Sequence, residues 1–391
     1  MGKAMAEGRV QSLDVLRGTA IIGTLLTNIW LFTQWGWDGT ATDSWQEGIS
    51  EVSGMVSNGK FLSLLSILFG VGMAIQFDSA MRRGHRWPWR YEWRSLLLLA
   101  DGFVHFALVV DFDILMGYAL TAMVVAPLLK LRTRWLVLAA GVAAGFHLFL
   151  QFREFSTLAV PTTMERRTDE FPMDTWSPPT SYADEVAYRV GNFWELRYEA
   201  FQIAPPLSAF LFLMGVLLWR AGLFKGGERA GRLANRLAVG GLGVGVPLML
   251  WAYVGLPGAT YLDSLSRYTI APVVACGYLG LILLLLRRGG GRGFLARQVA
   301  GVGRTALSCY MLQNVLAMVA FSAWGLGLGP LGAVGTVVAW AVISGILMLA
   351  ASLWLRRFSQ GPFELVWKAA VDAPFRKRAV DVPARQRVDV S

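Results

Sequence analysis

Long apolar runs alternate with short charged segments along most of the chain. Several of these runs carry no charged residue and match the roughly 17–25 residues that a helix needs to cross a ~30 Å hydrocarbon core. They are 18–37, 61–77, 135–152, 200–219, 237–262, 268–286 and the double-length run 305–355, which residues 325–330 (GLGLGP) divide. Two further spans, 95–110 and 114–129, flank the acidic residues Asp111 and Asp113. The pattern therefore predicts an all-α membrane bundle of about ten transmembrane helices.

Basic residues fall mostly on one side of the predicted spans. The segments that face inward if the N-terminus is cytoplasmic hold most of the 36 Lys and Arg residues. Because cytoplasmic loops are enriched in Lys and Arg, both termini are predicted to be cytoplasmic. The first apolar run is too long for a signal peptide and lacks a cleavage site, so we expect it to be retained. The formal net charge of +10 then reflects orientation and contact with anionic membrane lipids, and no nucleic-acid partner is expected.

The spans and loops divide the chain into four predicted segments. Residues 1–152 form an N-terminal five-helix membrane half, and residues 153–199 form a long extracytoplasmic loop or cap. Residues 200–375 form a C-terminal five-helix membrane domain with an amphipathic tail helix, and 376–391 form a disordered cytoplasmic tail.

Two local patterns add detail to these segments. Aromatic residues are dense in 182–201, which favours a cap over an outward-facing cavity. A loop of this length is equally typical of a mobile connector. The pairs Gly141/Gly145 and Gly241/Gly245 have the spacing of closely packed membrane helices, so we expect both pairs to lie at helix crossings.

Ionisable residues inside a predicted span are the main functional candidates, because burying a charge in hydrocarbon is costly. Asp101 and His105 lie four residues apart on the third predicted helix and therefore share a face. Counted from Arg94 at 1.5 Å per residue, His105 lies ~16 Å into the membrane, close to its midplane. A carboxylate that orients an imidazole is the arrangement of a general base, so Asp101 and His105 are predicted to be catalytic. The alternative is that the two side chains only satisfy each other's hydrogen bonds.

Other polar residues give weaker signals. On the ninth predicted helix, Arg304, Ser308 and Gln313 could share one polar stripe that faces the third helix. Asn28 lies deep in the first helix. Hydrogen bonding between helices explains these residues about as well as ligand binding does. The candidate substrate-binding residues are Asn28, Asp113, Arg304, Ser308, Tyr310, Gln313 and Asn314, and those with a donor-binding or structural role are Asp14, Arg17, Lys60 and Arg94.

Several soluble-enzyme signatures are missing from the sequence. It has no P-loop, no H-E-x-x-H and no G-x-S-x-G motif. Cys276 and Cys309 both lie in predicted spans, so a disulfide framework is not expected. With only three scattered histidines, neither a metal site nor a permanently bound cofactor is expected.

Short motifs spread over the chain resemble those of one membrane protein family. They are LDVLRGTAIIG (13–23), KF (60–61), LFGVG (68–72), GFVH (102–105), DIL (113–115), GRTALS (303–308) and GPFE (361–364). In this order they are similar to motifs of the YeiB-like family, and they cover nearly the whole chain. Cys309 stands where that family's pattern has an Asn.

The resemblance implies a function as well as a fold. The N-terminal half of the YeiB-like family is similar to the transmembrane acyltransferase superfamily, which includes heparan-alpha-glucosaminide N-acetyltransferase. This implies transfer of an acyl group from a cytosolic thioester, with acyl-CoA as co-substrate, to an extracytoplasmic or lipid-linked acceptor. The lysosomal enzyme has its proposed catalytic histidine soon after the first-helix Asn, whereas no histidine follows Asn28 closely here. Either His105 takes over that role, or the chemistry differs.

Other functions stay open at this stage. Two five-helix halves of opposite orientation would suit a small-molecule or lipid transporter or flippase, and a non-catalytic membrane scaffold is a third reading. The partners expected are membrane lipids, a small-molecule, glycan or lipid acceptor, and, as an option, a second copy of the chain. The expected location is the inner membrane of a bacterium.

Overall fold

The computed structural model describes residues 2–33, 44–158, 181–255, 264–289, 291 and 293–375. Within these residues all regular structure is helical, which confirms the predicted all-α fold. The helices are α1 (Gly2–Thr33), α2 (Ser44–Ser57), α3 (Lys60–Arg82), α4 (Trp89–Leu108), α5 (Leu115–Leu128), α6 (Thr133–Leu158), α7 (Tyr182–Gly191), α8 (Phe193–Ala221), α9 (Gly227–Gly255), α10 (Ala271–Arg287), α11 (Phe294–Arg304), α12 (Ala306–Phe321), α13 (Ala333–Trp354) and α14 (Pro362–Asp372). A π-helical segment, Ser266–Ile270, leads into α10, and a 3-10 turn, Ala373–Phe375, follows α14.

Two predictions fall wholly or partly outside the described residues. They are the disordered tail 376–391 and much of the loop 153–199. The second half of the long loop is described and is helical, since it forms α7 and the beginning of α8.

Six helical stretches are long and apolar enough to cross a membrane. They are Gln11–Thr33, Trp45–Arg82, Thr133–Arg153, Gly227–Ala252, Ser266–Arg287 and Ala333–Trp354. Shorter apolar helices run over Leu115–Leu128, Pro205–Ala221 and Ala306–Phe321. The chain is therefore a multi-pass membrane protein. The spans correspond in position to most of those predicted from the sequence, while the number of ten and the side of each terminus stay predictions.

One hydrophobic core holds the helices together. Buried side chains of α1, α3, α8 and α12 belong to a single cluster that includes Leu25, Leu64, Phe212 and Tyr310. The opposite faces of the outer helices expose large apolar side chains, such as Val142 on α6 and Leu349 on α13. An exposed apolar belt of this kind suits contact with lipid. The predicted division into an N-terminal and a C-terminal membrane half stays a prediction.

The two glycine pairs behave differently. A Cβ added at Gly241 would lie 2.3 Å from the Gly277 backbone nitrogen, and one at Gly245 would lie 2.7 Å from a Val274 methyl group. This pair lets α9 and α10 approach closely, as predicted. At Gly141 and Gly145 an added Cβ would meet no described atom within 4 Å, so the prediction of a crossing there was wrong. Spacing alone does not say whether a neighbouring helix faces the glycines.

The ninth predicted helix is divided in two. Helix α11 ends at Arg304, and α12 begins at Ala306 after Thr305. The predicted polar stripe over Arg304, Ser308 and Gln313 was therefore wrong, since these residues do not share one continuous helix. Arg304 is exposed, whereas Gln313 is fully buried.

Candidate functional site

The connection between α4 and α5 places Asp113 at the start of α5. Its Oδ2 accepts hydrogen bonds from the backbone nitrogens of Leu115 at 2.8 Å and Met116 at 3.2 Å. A carboxylate at a helix N-terminus satisfies unpaired N–H groups and is stabilised by the helix dipole. With 14 residues, α5 rises only ~21 Å, which is less than the ~30 Å hydrocarbon core. If its other end lies at the inner interface, Asp113 lies below the outer surface of the membrane.

His105 is the partner of this carboxylate. The distance from His105 Nδ1 to Asp113 Oδ1 is 2.8 Å, and the two side chains are 1% and 0% exposed. A carboxylate acceptor assigns the proton of the neutral imidazole to Nδ1. The Nε2 of His105 then carries a lone pair that can accept a proton.

The prediction that Asp101 is the carboxylate partner of His105 was wrong. The hydrogen bond is made by Asp113, and Asp101 Oδ2 is buried without a partner among the described residues. Two backbone N–H groups hold one oxygen of Asp113, so its other oxygen is fixed toward His105. Gly102 allows this approach, because a Cβ there would lie 2.7 Å from Met116 N and 3.0 Å from Asp113 Oδ2. Helical spacing offers Asp101 as a neighbour, whereas the tertiary fold supplies the better oriented carboxylate.

Helix α12 completes the cluster. The hydroxyl of Tyr310 donates to Asp113 Oδ1 at 3.3 Å, and Asn314 Nδ2 lies 3.3 Å from His105 Nε2. Gln313 is fully buried, and neither of its amide atoms has a hydrogen-bond partner in the described part of the chain. The same holds for the side-chain oxygen of Asn314. The structure thus brings together Asp113, Tyr310 and Asn314 around His105, and Gln313, the residue before Asn314 on α12, has an unpaired buried amide.

Sequence reasoning missed Arg197, which holds the α4–α5 connection in place. Its Nη1 donates to the Asp111 carbonyl at 2.9 Å, and its Nη2 donates to the Asp113 carbonyl. The guanidinium also lies over the rings of Phe106 and Phe201. The sequence contained one indication of a special role for Arg197, because it is a basic residue in a segment predicted to face outward, where basic residues are few.

The other candidate residues lie elsewhere. Ser308 bonds to Glu364 of α14, whose carboxylate also accepts from the Leu307 backbone nitrogen at 2.8 Å. Lys60 is fully buried at the start of α3, where its Nζ donates to the Gly54 carbonyl at 3.4 Å. Asn28 is half-buried on α1, and within the described residues no hydrogen bond joins it to the cluster. Asp14, Arg17 and Arg94 form a second polar group that contains neither His105 nor Asp113.

A cavity of about 390 Å³ lies beside the connection between α4 and α5. Its wall includes Asp111 and Phe112 of that connection, Glu185 and Arg189 of α7, and Trp324. Arg189 and Glu185 form an ion pair at 3.1 Å, and Trp324 Nε1 donates to Glu185 at 2.8 Å. Helix α7 therefore supplies charged groups to a cavity that Asp111 and Phe112 line, while Asp113, the next residue along the chain, does not line it.

The buried pair can take up and release a proton. A neutral imidazole with a fixed Nδ1–H can accept a proton at Nε2, and the adjacent carboxylate stabilises the resulting imidazolium. Uncommitted amides can donate to a carbonyl oxygen that gains negative charge. His105 does not line the cavity and is only 2% exposed, so its side chain is shielded from solvent and from the cavity in this structure.

Comparison with known proteins gives a consistent family but no activity. Residues 218–373 match a family described as "Protein of unknown function (DUF418)". The chain is 26% identical over 392 aligned positions to the uncharacterized protein YxaH of Bacillus subtilis, with 93% of this chain and 94% of the relative covered. It is 28% identical over 402 positions to the uncharacterized protein YeiB of Escherichia coli, with 91% and 94% covered. The similarity thus extends over nearly the whole length of each chain.

Proposed function

This chain belongs to the YeiB-like family of membrane proteins, and from that premise we propose that it is a membrane-embedded acyltransferase. The reaction transfers an acyl group from a cytosolic thioester, such as an acyl-CoA, to a hydroxyl or amine of an extracytoplasmic or lipid-linked acceptor. His105 is the general base, and Asp113 takes the orienting role that the sequence assigned to Asp101.

One observation carries the proposal: a buried imidazole has its Nδ1 fixed by a carboxylate, which leaves the Nε2 lone pair, 3.3 Å from Asn314 Nδ2, as the site that accepts a proton. In the transfer step, Nε2 removes the proton of the acceptor group as the acceptor attacks the thioester carbonyl carbon. A bond from the acceptor to carbon forms, and the carbon–sulfur bond breaks. The proton then passes from His105 to the leaving thiolate. In this proposal the Gln313 amide donates to the carbonyl oxygen while it carries negative charge.

The proposed topology assigns each substrate to one side. With about ten spans and both termini inside, Arg94 marks the inner end of α4 and His105 lies ~16 Å further along the helix. The thioester then approaches from the inner side, and the acceptor enters through the cavity that Glu185 and Arg189 line. Because the loop 109–112 separates that cavity from the pair, a displacement of this loop opens the path between them.

The test uses the full chain in nanodiscs with radiolabelled acetyl-CoA or palmitoyl-CoA and an extract of bacterial membrane lipids and glycans. We expect label in the extract and release of the CoA thiol. His105→Gln should lower both rates by about 10²–10⁴-fold, which is the usual contribution of a general base.

His147→Gln is the matched control, because His147 is also a buried histidine but contacts the Tyr268 carbonyl instead of the cluster. It should transfer at the wild-type rate. Equal transfer by wild type and His105→Gln would overturn the proposed role of His105. Transbilayer movement of an unmodified solute that is lost in His105→Gln, without acyl transfer, would favour the transporter reading instead.

A further inference from the structure

A second polar group lies toward the opposite end of α4, away from the aspartate–histidine pair. Arg17 Nη1 is 3.9 Å from Asp14 Oδ1 on α1. Arg304, at the end of α11, is close enough to act electrostatically on Asp14, and Arg94 acts in the same way on Arg17. We call Arg17, Arg94 and Arg304 the arginine triad.

Helix α3 shows how near two members of the triad are to each other. A Cβ built on Gly72 would lie 3.5 Å from Arg17 Nη2, and Arg94 Nη1 donates to the side chain of Gln76 at 3.1 Å. Gly72 and Gln76 are one helical turn apart on the same face. The two guanidinium groups therefore contact adjacent positions of a single helix face.

Close packing of α1 and α11 brings in the third member. A Cβ added at Gly303 would lie 1.8 Å from the Asp14 carbonyl oxygen, and one at Gly18 would lie 1.9 Å from the Val299 carbonyl. The backbones are thus in direct contact at Gly303, and Arg304 follows immediately. Its Nη2 donates to the Ser359 carbonyl at 3.2 Å, and the residue is exposed.

The charges of this group do not balance. The group holds three guanidinium groups and the Asp14 carboxylate, and like charges at short range repel each other. The side chain of Arg17 is 34% exposed. Arginine forks bind phosphate oxygens in a bidentate manner, and a phosphate has enough oxygens to accept from more than one fork.

We propose that the arginine triad is a binding site for a phosphate group. Under the proposed function, on which this part rests, the phosphate belongs to the thioester donor, which must bridge the ~16 Å between Arg94 and His105 with a long flexible arm. A phosphopantetheine thioester combines phosphates with such an arm. The same chemistry is offered by the headgroup of an anionic lipid, and the experiment separates the two sources.

The experiment measures binding of free coenzyme A, which carries the phosphates without an acyl group, to the full chain in phosphatidylcholine nanodiscs. Arg17→Gln and Arg94→Gln should each raise the dissociation constant about tenfold through loss of a charge-assisted contact. Arg232→Gln removes an exposed arginine that pairs with Glu228 outside the triad, and it should change nothing.

Asp14→Asn distinguishes a binding role from a structural one. It removes the single carboxylate of the group, so coenzyme A should bind several-fold more tightly than to wild type. A substitution that only damaged the fold would weaken binding instead. Weaker binding of coenzyme A in Asp14→Asn, or wild-type binding in both arginine variants, would count against a role of the triad in binding the donor.

A parallel arm counts the phosphatidylglycerol molecules that remain bound after purification from mixed-lipid nanodiscs. If the arginine variants lose bound phosphatidylglycerol but bind coenzyme A like wild type, the triad binds phosphate but does not bind the acyl donor. If neither ligand depends on the triad, the site is overturned. His105→Gln should bind coenzyme A like wild type, so triad-dependent binding without acyl transfer would reject the proposed function and leave the site intact.

Discussion

The two polar groups along α4 differ in burial, pairing and charge balance. Near one end, His105 and Asp113 are almost fully buried and lie 2.8 Å apart, and further donors hold the carboxylate. Near the other, Arg17 is one-third exposed and lies 3.9 Å from Asp14, with two more arginines nearby. A buried and rigid histidine–carboxylate pair suits proton transfer, whereas a partly exposed group with excess positive charge suits the capture of an anion. One helix thus connects two groups with different chemistry.

The largest difference should appear when each of the two carboxylates near His105 is replaced separately. Asp113→Asn keeps the shape but removes the charge that stabilises protonated His105, so acyl transfer should fall by at least about 100-fold. Asp101→Asn should change the rate by less than about threefold, because Asp101 makes no hydrogen bond to His105. The rates are measured with labelled acyl-CoA in nanodiscs. A larger loss in Asp101→Asn than in Asp113→Asn would restore the assignment made from helical spacing.

A glycine next to each polar group provides the second comparison. Gly102→Ala places a methyl group 2.7 Å from the Met116 backbone and should destabilise the protein by about 1–3 kcal/mol, with loss of transfer activity. Gly72→Ala meets only the end of the flexible Arg17 side chain at 3.5 Å, so its stability should be close to that of wild type. Thermal unfolding followed by size-exclusion chromatography measures both. Equal melting temperatures would show that α4 and α5 do not require the close approach seen here.

The smallest effect is expected at Tyr310. Its hydroxyl donates to Asp113 at 3.3 Å, which is a long hydrogen bond, and the same oxygen already accepts from His105. Tyr310→Phe should therefore lower transfer by only about three- to tenfold and leave binding of coenzyme A unchanged, since one neutral hydrogen bond contributes ~1 kcal/mol. A loss as large as that of His105→Gln would instead assign Tyr310 a direct part in proton transfer.

The sequence was sufficient for the membrane class and for most members of the site. Apolar runs of membrane length, interrupted by charged segments, predicted a helical multi-pass protein, and the structure has helices in the corresponding places. His105, Asp113, Tyr310 and Asn314 were identifiable because a polar side chain within an apolar run is costly and therefore informative. The short motifs resemble those of the YeiB-like family, and the full-length similarities to YxaH and YeiB agree with that resemblance.

Only the tertiary structure decided which of these residues meet. Asp101 and Asp113 are both aspartates near His105 in the sequence, and the start of α5, held by backbone N–H groups and by Arg197, brings Asp113 to the imidazole. The break at Thr305 separates Arg304 from Gln313 and places it beside Asp14 of α1. Helical periodicity gives the face on which a side chain lies. Periodicity does not identify the residue that a side chain contacts on another helix, because contacts between distant segments depend on how the helices pack.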